Sequence, residues 1–392
     1  MYANSVMLYT GTMNVLFVSN GHGEDLIAYE LAKTLKRQFP DVKITPFPLV
    51  GQGLAYQEFL EGETQNPIFP SGGFLRTLKD IVKDIKAGLI MHTFHQQKAL
   101  RQLAKLSDLT ICVGDIFCLL MGKLGNASPS VFLPTAKSNL FMPHGFIEKY
   151  LMKHYADLIF TRDEETADDL KKSHLPALYL GNPIMDQLSE IKGSTTDSKQ
   201  NENSALPKET IVCLLPGSRE EAYLNLNHML DVASNLQDLD KSIKFVLIKA
   251  ETMSLGKWEK KGWILQEKPH FSFLTNGITK VFISEKFKES IPHANVVLGL
   301  AGTANEQAVY LGKTVFCFEG FGPQSTEKRF KEQEKLLGKG LRFLKDKDPI
   351  MVAKALKTYL ENPLPNEKLE FENASEKIVE CIIKTLTPYW AK

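Results

Sequence analysis

Chemically informative residues stand at the end of an apolar, strand-like run in the middle of the chain. Ile211–Leu215 leads directly into Pro216-Gly217-Ser218-Arg219, and a polar stretch with helical spacing follows. A strand, a tight glycine turn and a helix start together aim free backbone N–H groups and the helix dipole at one point. Arg219 could add a permanently charged, bidentate contact to a phosphate. The segment therefore predicts an anion site, and the alternative is an ordinary turn with an exposed arginine.

A second turn of this kind follows the apolar run Val296–Leu300 and has the sequence GTANEQ over residues 302–307. Two such turns at strand ends could hold a diphosphate, with Ser218, Thr303 and Arg219 as ligands. Glu306 or Gln307, one turn into the following helix, could bind a pair of ribose hydroxyls. The candidate nucleotide-binding residues are Pro216, Gly217, Ser218, Arg219, Gly302, Thr303, Ala304, Asn305, Glu306 and Gln307.

The first half of the chain offers the groups that could act on a second substrate. A glycine-rich turn, NGHGED over residues 20–25, follows one apolar run, and Asp115 follows another. A carboxylate at the end of a parallel strand lies where open α/β sheets bind ligands. The candidate catalytic residues are Asp115, His22 and Asp25, and the candidate substrate-binding residues are Asn20, Gly21, Gly23 and Glu24. Asp25 could alternatively cap the helix that begins there.

These residues need a framework of parallel strands and helices to position them. Apolar runs alternate with helical patterns through both halves, which predicts an α/β fold with two doubly wound Rossmann-like domains facing a cleft. We expect an acceptor-binding domain over residues 1–190 and a polar linker over 191–208. A nucleotide-sugar-binding domain would cover 209–365, and a final helix over 366–392 would pack back on the first domain. A dehydrogenase is disfavoured because no GxGxxG unit with its acidic partner appears.

The composition limits which binding partners and which cellular compartment are expected. The 392 residues carry a net charge of +1, which does not indicate nucleic acid as a partner. The five cysteines are scattered and no metal-ligand spacing is visible, so we expect neither a metal nor a cofactor. No signal peptide or membrane-spanning run is evident, which indicates a cytoplasmic protein. Basic amphipathic segments at 74–106 and 139–155 leave open a peripheral position on the inner face of the membrane.

Several of these motifs resemble the lipid-A-disaccharide synthase family and, more broadly, glycosyltransferases of the GT-B fold. The resemblance rests on LLPGSR over 214–219 followed by two glutamates, ANVVL over 294–298, AGTA over 301–304 and LGNPIMD over 180–186. In the first glycine turn, Asp25 matches the family pattern. His22 does not, and it resembles the acceptor-loop histidine of peptidoglycan N-acetylglucosaminyl transferases.

The resemblance implies a two-domain hexosyltransferase that uses a UDP-sugar, such as UDP-GlcNAc, and a lipid or lipid-linked acceptor at the membrane surface. It places Asp115 at the position of the family's catalytic aspartate, Arg219 on the donor side and Gln324 against the donor sugar. The ribose-binding glutamate aligns with Gln307, beside Glu306. Two other readings remain: a nucleotide-sugar 2-epimerase of the same fold, and a non-catalytic nucleotide-sugar or lipid-binding protein. The sugar, the acceptor and the oligomeric state are left open.

Overall fold

The computed structural model of this chain describes residues 13–51, 53–60, 89–124, 129–191, 209–250, 252–322, 325–364 and 373–390. The chain divides into two compact units, one made of residues 1–187 with 372–392 and the other of residues 188–371. The boundary therefore falls three residues before the predicted end of the first domain. The predicted linker 191–208 lies outside the described residues except for Ile191.

A six-stranded parallel sheet forms the centre of the first unit. Its strands follow the order β2-β1-β3-β4-β5-β6. Because the strand order reverses beside β1, the carboxyl ends of β1 and β3 flank the topological switch point, where open α/β sheets bind ligands. The strands are β1 Asn14–Ser19, β2 Lys43–Pro48, β3 Leu109–Gly114, β4 Ser130–Pro134, β5 Leu158–Phe160 and β6 Ala177–Leu178.

Helices follow most of these strands, and apolar side chains of strands and helices share one buried cluster. The sequence predicts a single helix over 74–106. Its described part ends at Ala104, and residues 61–88 lie outside the described ranges. The helices are α1 His22–Gln38, α2 Leu89–Ala104, α3 Ile116–Leu124, α4 Phe146–Tyr155 and α5 Glu164–Lys172, with short 3-10 helices at Leu54–Tyr56 and Pro183–Ile191.

An eight-stranded sheet forms the second unit, with the order β14-β13-β12-β7-β8-β11-β10-β9. The switch point here lies between β7 and β12, which pair in parallel. The strands are β7 Ile211–Leu215, β8 Lys244–Ile248, β9 Ile264–Glu267, β10 Ser272–Thr275, β11 Lys280–Ser284, β12 Val296–Gly299, β13 Val315–Phe318 and β14 Leu341–Leu344.

One edge of this sheet departs from the expected all-parallel arrangement. Strand β10 pairs antiparallel with both β9 and β11. The connection from β10 to β11 is the short turn Asn276–Thr279, in which Gly277 has a φ of +94°. An Asn-Gly pair between strand-like segments is the strongest short-range hairpin signal, and it stands in the sequence. The expectation that all strands are parallel was wrong at this edge. It was based on continuous apolar runs, whereas β9 is partly polar and exposed.

The helices of the second unit are α6 Ala222–Leu239, α7 Phe287–Ser290, α8 Thr303–Tyr310, α9 Glu327–Leu337 and α10 Pro349–Glu361, with 3-10 helices at Leu255–Lys257, Ile291–His293 and Gly338–Gly340. Strands and helices again share one large apolar cluster. No helix among the described residues is both long and apolar enough to cross a membrane.

The last helix, α11 (Ala374–Trp390), packs against α1 of the first unit. Arg37 of α1 forms an exposed ion pair with Glu376 of α11. The carboxylate of Asp186 accepts hydrogen bonds from the amide N–H of Ala374 at 3.0 Å and of Ser375 at 2.6 Å. Asp186 therefore caps a helix that lies almost two hundred residues later in the sequence.

Candidate functional site

Two candidate residues of the first unit meet where β1 and β3 end. Asn20 follows β1, Asp115 follows β3, and the Asn20 side chain hydrogen-bonds the Asp115 carboxylate. Gly114 makes this contact possible, because a Cβ placed there would lie 1.9 Å from the Asn20 Oδ1. Its φ of +151° also disfavours other residues. The structure thus gives a steric reason for a glycine at position 114, which the sequence alone did not show.

The Asp115 carboxylate is held by the start of α3. Its Oδ1 accepts hydrogen bonds from the amide N–H of Phe117 at 3.0 Å and of Cys118 at 3.2 Å. Desolvation raises the pKa of Asp115 and outweighs these hydrogen bonds, which lower it, and the charge of Glu148 raises it further. The residue is nevertheless accessible to solvent. An accessible carboxylate that is crowded by protein atoms, with its pKa raised, is suited to accept a proton.

Asp25 lies deeper in the same region and is only 3% exposed. The Ser19 hydroxyl donates to its Oδ1 at 2.5 Å, and the hydroxyl of the buried Tyr56 donates to Ser19 at 2.9 Å. Burial raises the pKa of Asp25 to about 7, against the effect of the Ser19 hydrogen bond, and Glu24 adds to the rise. The capping alternative for Asp25 is wrong, because Gly21 is the N-cap of α1 and no side chain caps that helix.

The other candidates of the first glycine turn surround these carboxylates. Glu24 folds back toward the start of α1, where its Oε2 would lie 2.4 Å from a Cβ placed on Gly21. The Thr135 hydroxyl, after β4, donates to Glu24 at 3.3 Å. His22 and Gly23 belong to the first turn of α1, and the side chain of His22 lies outside the described residues.

A charged group that the sequence analysis gave no role follows β4. Glu148 accepts from the Lys137 ammonium at 2.8 Å and lies 3.2 Å from the Nδ1 of His144. These contacts keep the pKa of Glu148 below its usual range although burial opposes them, whereas burial lowers the pKa of His144. Because Glu148 acts on the Asp115 pKa, the group contributes to the electrostatics of the β1–β3 edge. The sequence carried no signal for it, since its members belong to a loop and a helix start.

In the second unit, the predicted turn after β7 has the required geometry. Gly217 has a φ of +108°, and a Cβ placed on it would lie 3.6 Å from the carbonyl oxygen of Leu300. Ser218 and Arg219 are exposed, and helix α6 begins at Ala222. Within the part of the chain that the structure describes, the amide N–H groups of Gly217 and Ser218 have no hydrogen-bond acceptor. These donors lie beside the end of β12.

The turn after β12 supplies a second set of donors. Helix α8 begins at Thr303, and no side chain caps it. Among the described residues, the amide N–H groups of Thr303 and Ala304 also lack an acceptor. Asn305 is fully buried and donates to the carbonyl oxygen of Gly299 at 3.2 Å, so it supports the turn from inside.

The two candidates for the ribose differ in exposure. Glu306 is buried, and its Oε1 lies 3.4 Å from the Nε2 of Gln333. Gln307, the next residue of α8, is half-buried. Gln324, the candidate contact to the donor sugar, lies outside the described residues. Of the two described candidates, Gln307 is the more accessible.

No group of His, Cys, Asp or Glu side chains in the described ranges is arranged to hold a metal ion.

The first unit presents apolar side chains to solvent on α4, where Phe146 is 85% and Ile147 72% exposed. Tyr150 continues this face, and Lys153 adds an exposed positive charge. An apolar helix face with a basic rim is typical of helices that lie on anionic lipid.

Residues 167–312 match the model of the lipid-A-disaccharide synthetase family. No curated protein sequence matches the chain.

Solved structures with a similar fold cover nearly the whole chain. The UDP-GlcNAc 2-epimerase of Neisseria meningitidis, bound to UDP-GlcNAc, has a TM-score of 0.58 at 17% identity over 95% of this chain and 100% of that one. The S. aureus MnaA–UDP structure has a TM-score of 0.60 at 15% identity over 96% and 97%. MurG of Acinetobacter baumannii has a TM-score of 0.55 at 16% identity over 95% and 99%. The likeness establishes the expected α/β fold, with two Rossmann-like domains of the GT-B type.

Proposed function

We propose that this lipid-A-disaccharide synthase-related chain is a glycosyltransferase that moves a sugar from a UDP-sugar to a lipid or lipid-linked acceptor. The observation that carries the proposal is the pair of turns at the β7–β12 switch point. The β7 turn presents the amides of Gly217 and Ser218, and the β12 turn presents those of Thr303 and Ala304 at the start of α8. None of these four amides has an acceptor among the described residues, and Arg219 lies exposed beside the first turn. Such an arrangement suits a diphosphate, whose negative charge is offset by hydrogen-bond donors and by positive charge.

The donor would bind to the second unit through its diphosphate. The amides of Gly217, Ser218, Thr303 and Ala304 would donate to phosphate oxygens, and Arg219 would offset the charge of the departing UDP. Gln307 is the residue of α8 that we assign to the ribose, because Glu306 is turned toward Gln333. The match of residues 167–312 to the family model includes both turns.

Asp115 would act as the general base on the acceptor. Its carboxylate takes the proton of the acceptor hydroxyl, the hydroxyl oxygen bonds to the anomeric carbon of the sugar, and the bond from that carbon to the UDP oxygen breaks. A base of this kind contributes roughly 10²- to 10⁴-fold in rate. Asn20 would orient the carboxylate, while the buried Asp25 would hold the end of β1 through Ser19.

The lipid character of the acceptor is supported by the family match and by α4. Phe146, Ile147 and Tyr150 recur at helical spacing and form one exposed face. Exposed aromatic and aliphatic side chains next to lysines suit the boundary between lipid headgroups and acyl chains. A membrane position at the cytoplasmic face would bring the first unit close to its acceptor.

Nucleotide binding is the first test. Wild-type protein is titrated by calorimetry with UDP, UDP-GlcNAc, GDP and NAD, and we expect binding of the uridine ligands. Arg219→Ala should weaken UDP binding about tenfold or more, because a charge-assisted contact to phosphate is lost. The matched control is Arg37→Ala, an exposed arginine of the first unit, which should bind UDP as the wild type does.

Turnover then separates transfer from the alternatives. A transferase releases UDP from its donor only when an acceptor is present, whereas a 2-epimerase converts UDP-GlcNAc alone. Several solved structures of similar fold are UDP-GlcNAc 2-epimerases, so conversion without acceptor is the result that would replace our proposal. Tight UDP binding with no turnover under any condition would favour a binding protein. Equal UDP affinity in Arg219→Ala would remove the donor-site assignment.

A further inference from the structure

Asn225 lies in the first turn of α6 and is only 1% exposed. Its Nδ2 donates to the carbonyl oxygen of Pro216 at 3.1 Å, within the turn after β7. Its Oδ1 accepts from the amide N–H of Phe321 at 2.7 Å, in the loop after β13. One carboxamide therefore joins two loops that lie about a hundred residues apart in the sequence. A buried amide with both of its ends satisfied specifies a single arrangement of its partners.

Ser325 extends this connection to a third strand end. Its hydroxyl lies 3.5 Å from the Asn225 Nδ2 and donates to the carbonyl oxygen of Leu300 at 3.1 Å. Gly320 permits the close approach, since a Cβ placed there would lie 2.7 Å from the Asn225 Oδ1 and 2.9 Å from a Leu300 side-chain carbon. The ends of β7, β12 and β13 are thus tied together by the side chains of Asn225 and Ser325.

We propose that Asn225 is a positioning residue of the nucleoside diphosphate site, an inference that rests on the proposed function. Asn225 does not contact the ligand in this scheme. By binding the Pro216 carbonyl, its side chain turns that negative oxygen toward the protein interior, so that the Gly217 and Ser218 amides present only N–H groups. Through Phe321 and Ser325, the same side chain keeps the β7 and β12 turns at a fixed spacing. A diphosphate that needs both turns gains affinity from this preorganisation.

The two ends of the carboxamide can be separated by substitution. Asn225→Asp keeps an acceptor for the Phe321 amide but removes the donor to Pro216 and places a carboxylate oxygen against a carbonyl oxygen. Asn225→Ala removes both bonds, and Ser325→Ala removes the link from Asn225 to Leu300 while it leaves the bonds of Asn225 to Pro216 and Phe321. Asn235→Ala is the matched control, because Asn235 lies on the same helix and, among the described residues, donates only to the neighbouring Asp231 carbonyl, at 2.8 Å.

The experiment measures UDP affinity by calorimetry at a temperature where circular dichroism shows each variant to be folded. We expect Asn225→Ala and Asn225→Asp to weaken UDP binding about tenfold or more, and Ser325→Ala a few-fold. The double variant of Asn225→Ala with Ser325→Ala should bind no worse than Asn225→Ala alone, because both residues act through one network. Asn235→Ala should leave the affinity within a factor of two. A residue that only stabilised the fold would change the melting temperature without changing the affinity of the folded protein.

The outcomes distinguish this inference from the proposed function. If wild type binds UDP and folded Asn225 variants bind it equally well, the positioning role is refuted and the donor site stands. If wild type binds no nucleotide, the donor site and the positioning role both fall. Where Asn225→Ala does not fold, Asn225→Asp and Ser325→Ala carry the decision, because each removes one connection and keeps another.

Discussion

The buried carboxyl group of Asp25 makes the stability of the first unit dependent on pH in an unusual direction. Burial raises its pKa in the folded protein to about 7, whereas an aspartate in an unfolded chain has a pKa of about 4. The folded state therefore keeps a proton that the unfolded chain releases, and this stabilises the fold at low pH. The contribution is fully present below the unfolded pKa and is lost as pH rises through 7. Asp25→Asn keeps the acceptor for Ser19 but carries no charge, so it should not show this loss.

The size of the effect follows from the two pKa values. Between pH 5 and pH 8 the wild type should lose about 2 to 3 kcal/mol of unfolding free energy through this group. The stability of Asp25→Asn relative to wild type should therefore rise by about the same amount between these two pH values. Urea unfolding followed by circular dichroism at pH 5 and pH 8 measures the difference for the transition of the first unit.

Asp240→Asn is the control for this experiment. Hydrogen bonds from Lys357 and Ser242 lower the pKa of Asp240 to about 2, so Asp240 stays ionised at both pH values. The same chemical substitution should therefore change stability equally at pH 5 and pH 8. A stability difference between Asp25→Asn and wild type that is the same at both pH values would refute the reasoning. It would mean that Asp25 is not desolvated in the folded protein.

Two further predictions concern turnover and the membrane. Asp115→Asn keeps acceptors for the Phe117 and Cys118 amides, so it should bind UDP normally while initial rates fall roughly 10²- to 10⁴-fold. Because desolvation raises the Asp115 pKa, the wild-type rate should increase with pH through that pKa as the base ionises. Weaker UDP binding by Asp115→Asn would contradict the role of Asp115 as a base that acts on the acceptor. Replacing Phe146 and Ile147 together by serine should lower binding to phosphatidylglycerol vesicles about tenfold or more in a sedimentation assay. Ile264→Ser, an exposed position of the second unit, should not, and equal binding by all three proteins would show that α4 does not touch lipid.

Much of the framework could be predicted from the sequence because buried parallel strands read as continuous apolar runs. The apolar run Ile211–Leu215 forms strand β7, and the run Val296–Leu300 is one residue longer than strand β12. Strands β9, β10 and β14 were not predicted, since they lie toward the sheet edges and include half-buried or exposed residues. Strand β10 could have been predicted, because Asn276-Gly277 marks the hairpin that joins it to β11.

The candidate site could be predicted only as far as local geometry determines it. Glycine turns at strand ends can be recognised in a sequence, and the structure places Asn20 beside Asp115 and Gly217 beside the end of β12. Thr135 and Asn225 were missed because their contacts join segments about a hundred residues apart, and no periodicity records such pairs. Whether an aspartate is accessible or buried is likewise decided by tertiary packing. Asp115 and Asp25 were therefore equal candidates in the sequence, whereas in the structure Asp115 is exposed and Asp25 is buried.

The starts of the helices explain why the two units would bind different substrates. In the first unit, the protein's own carboxylates already occupy them: Asp115 caps α3, and Glu24 lies against the start of α1. An external phosphate would be repelled there, whereas a neutral sugar hydroxyl would meet a base with a raised pKa. In the second unit, no side chain caps α8, so the positive end of its dipole stays available to an anion, and the amides of Gly217 and Ser218 lie beside it. Under the proposed function, the same strand–turn–helix geometry would thus favour the acceptor in the first unit and the diphosphate in the second.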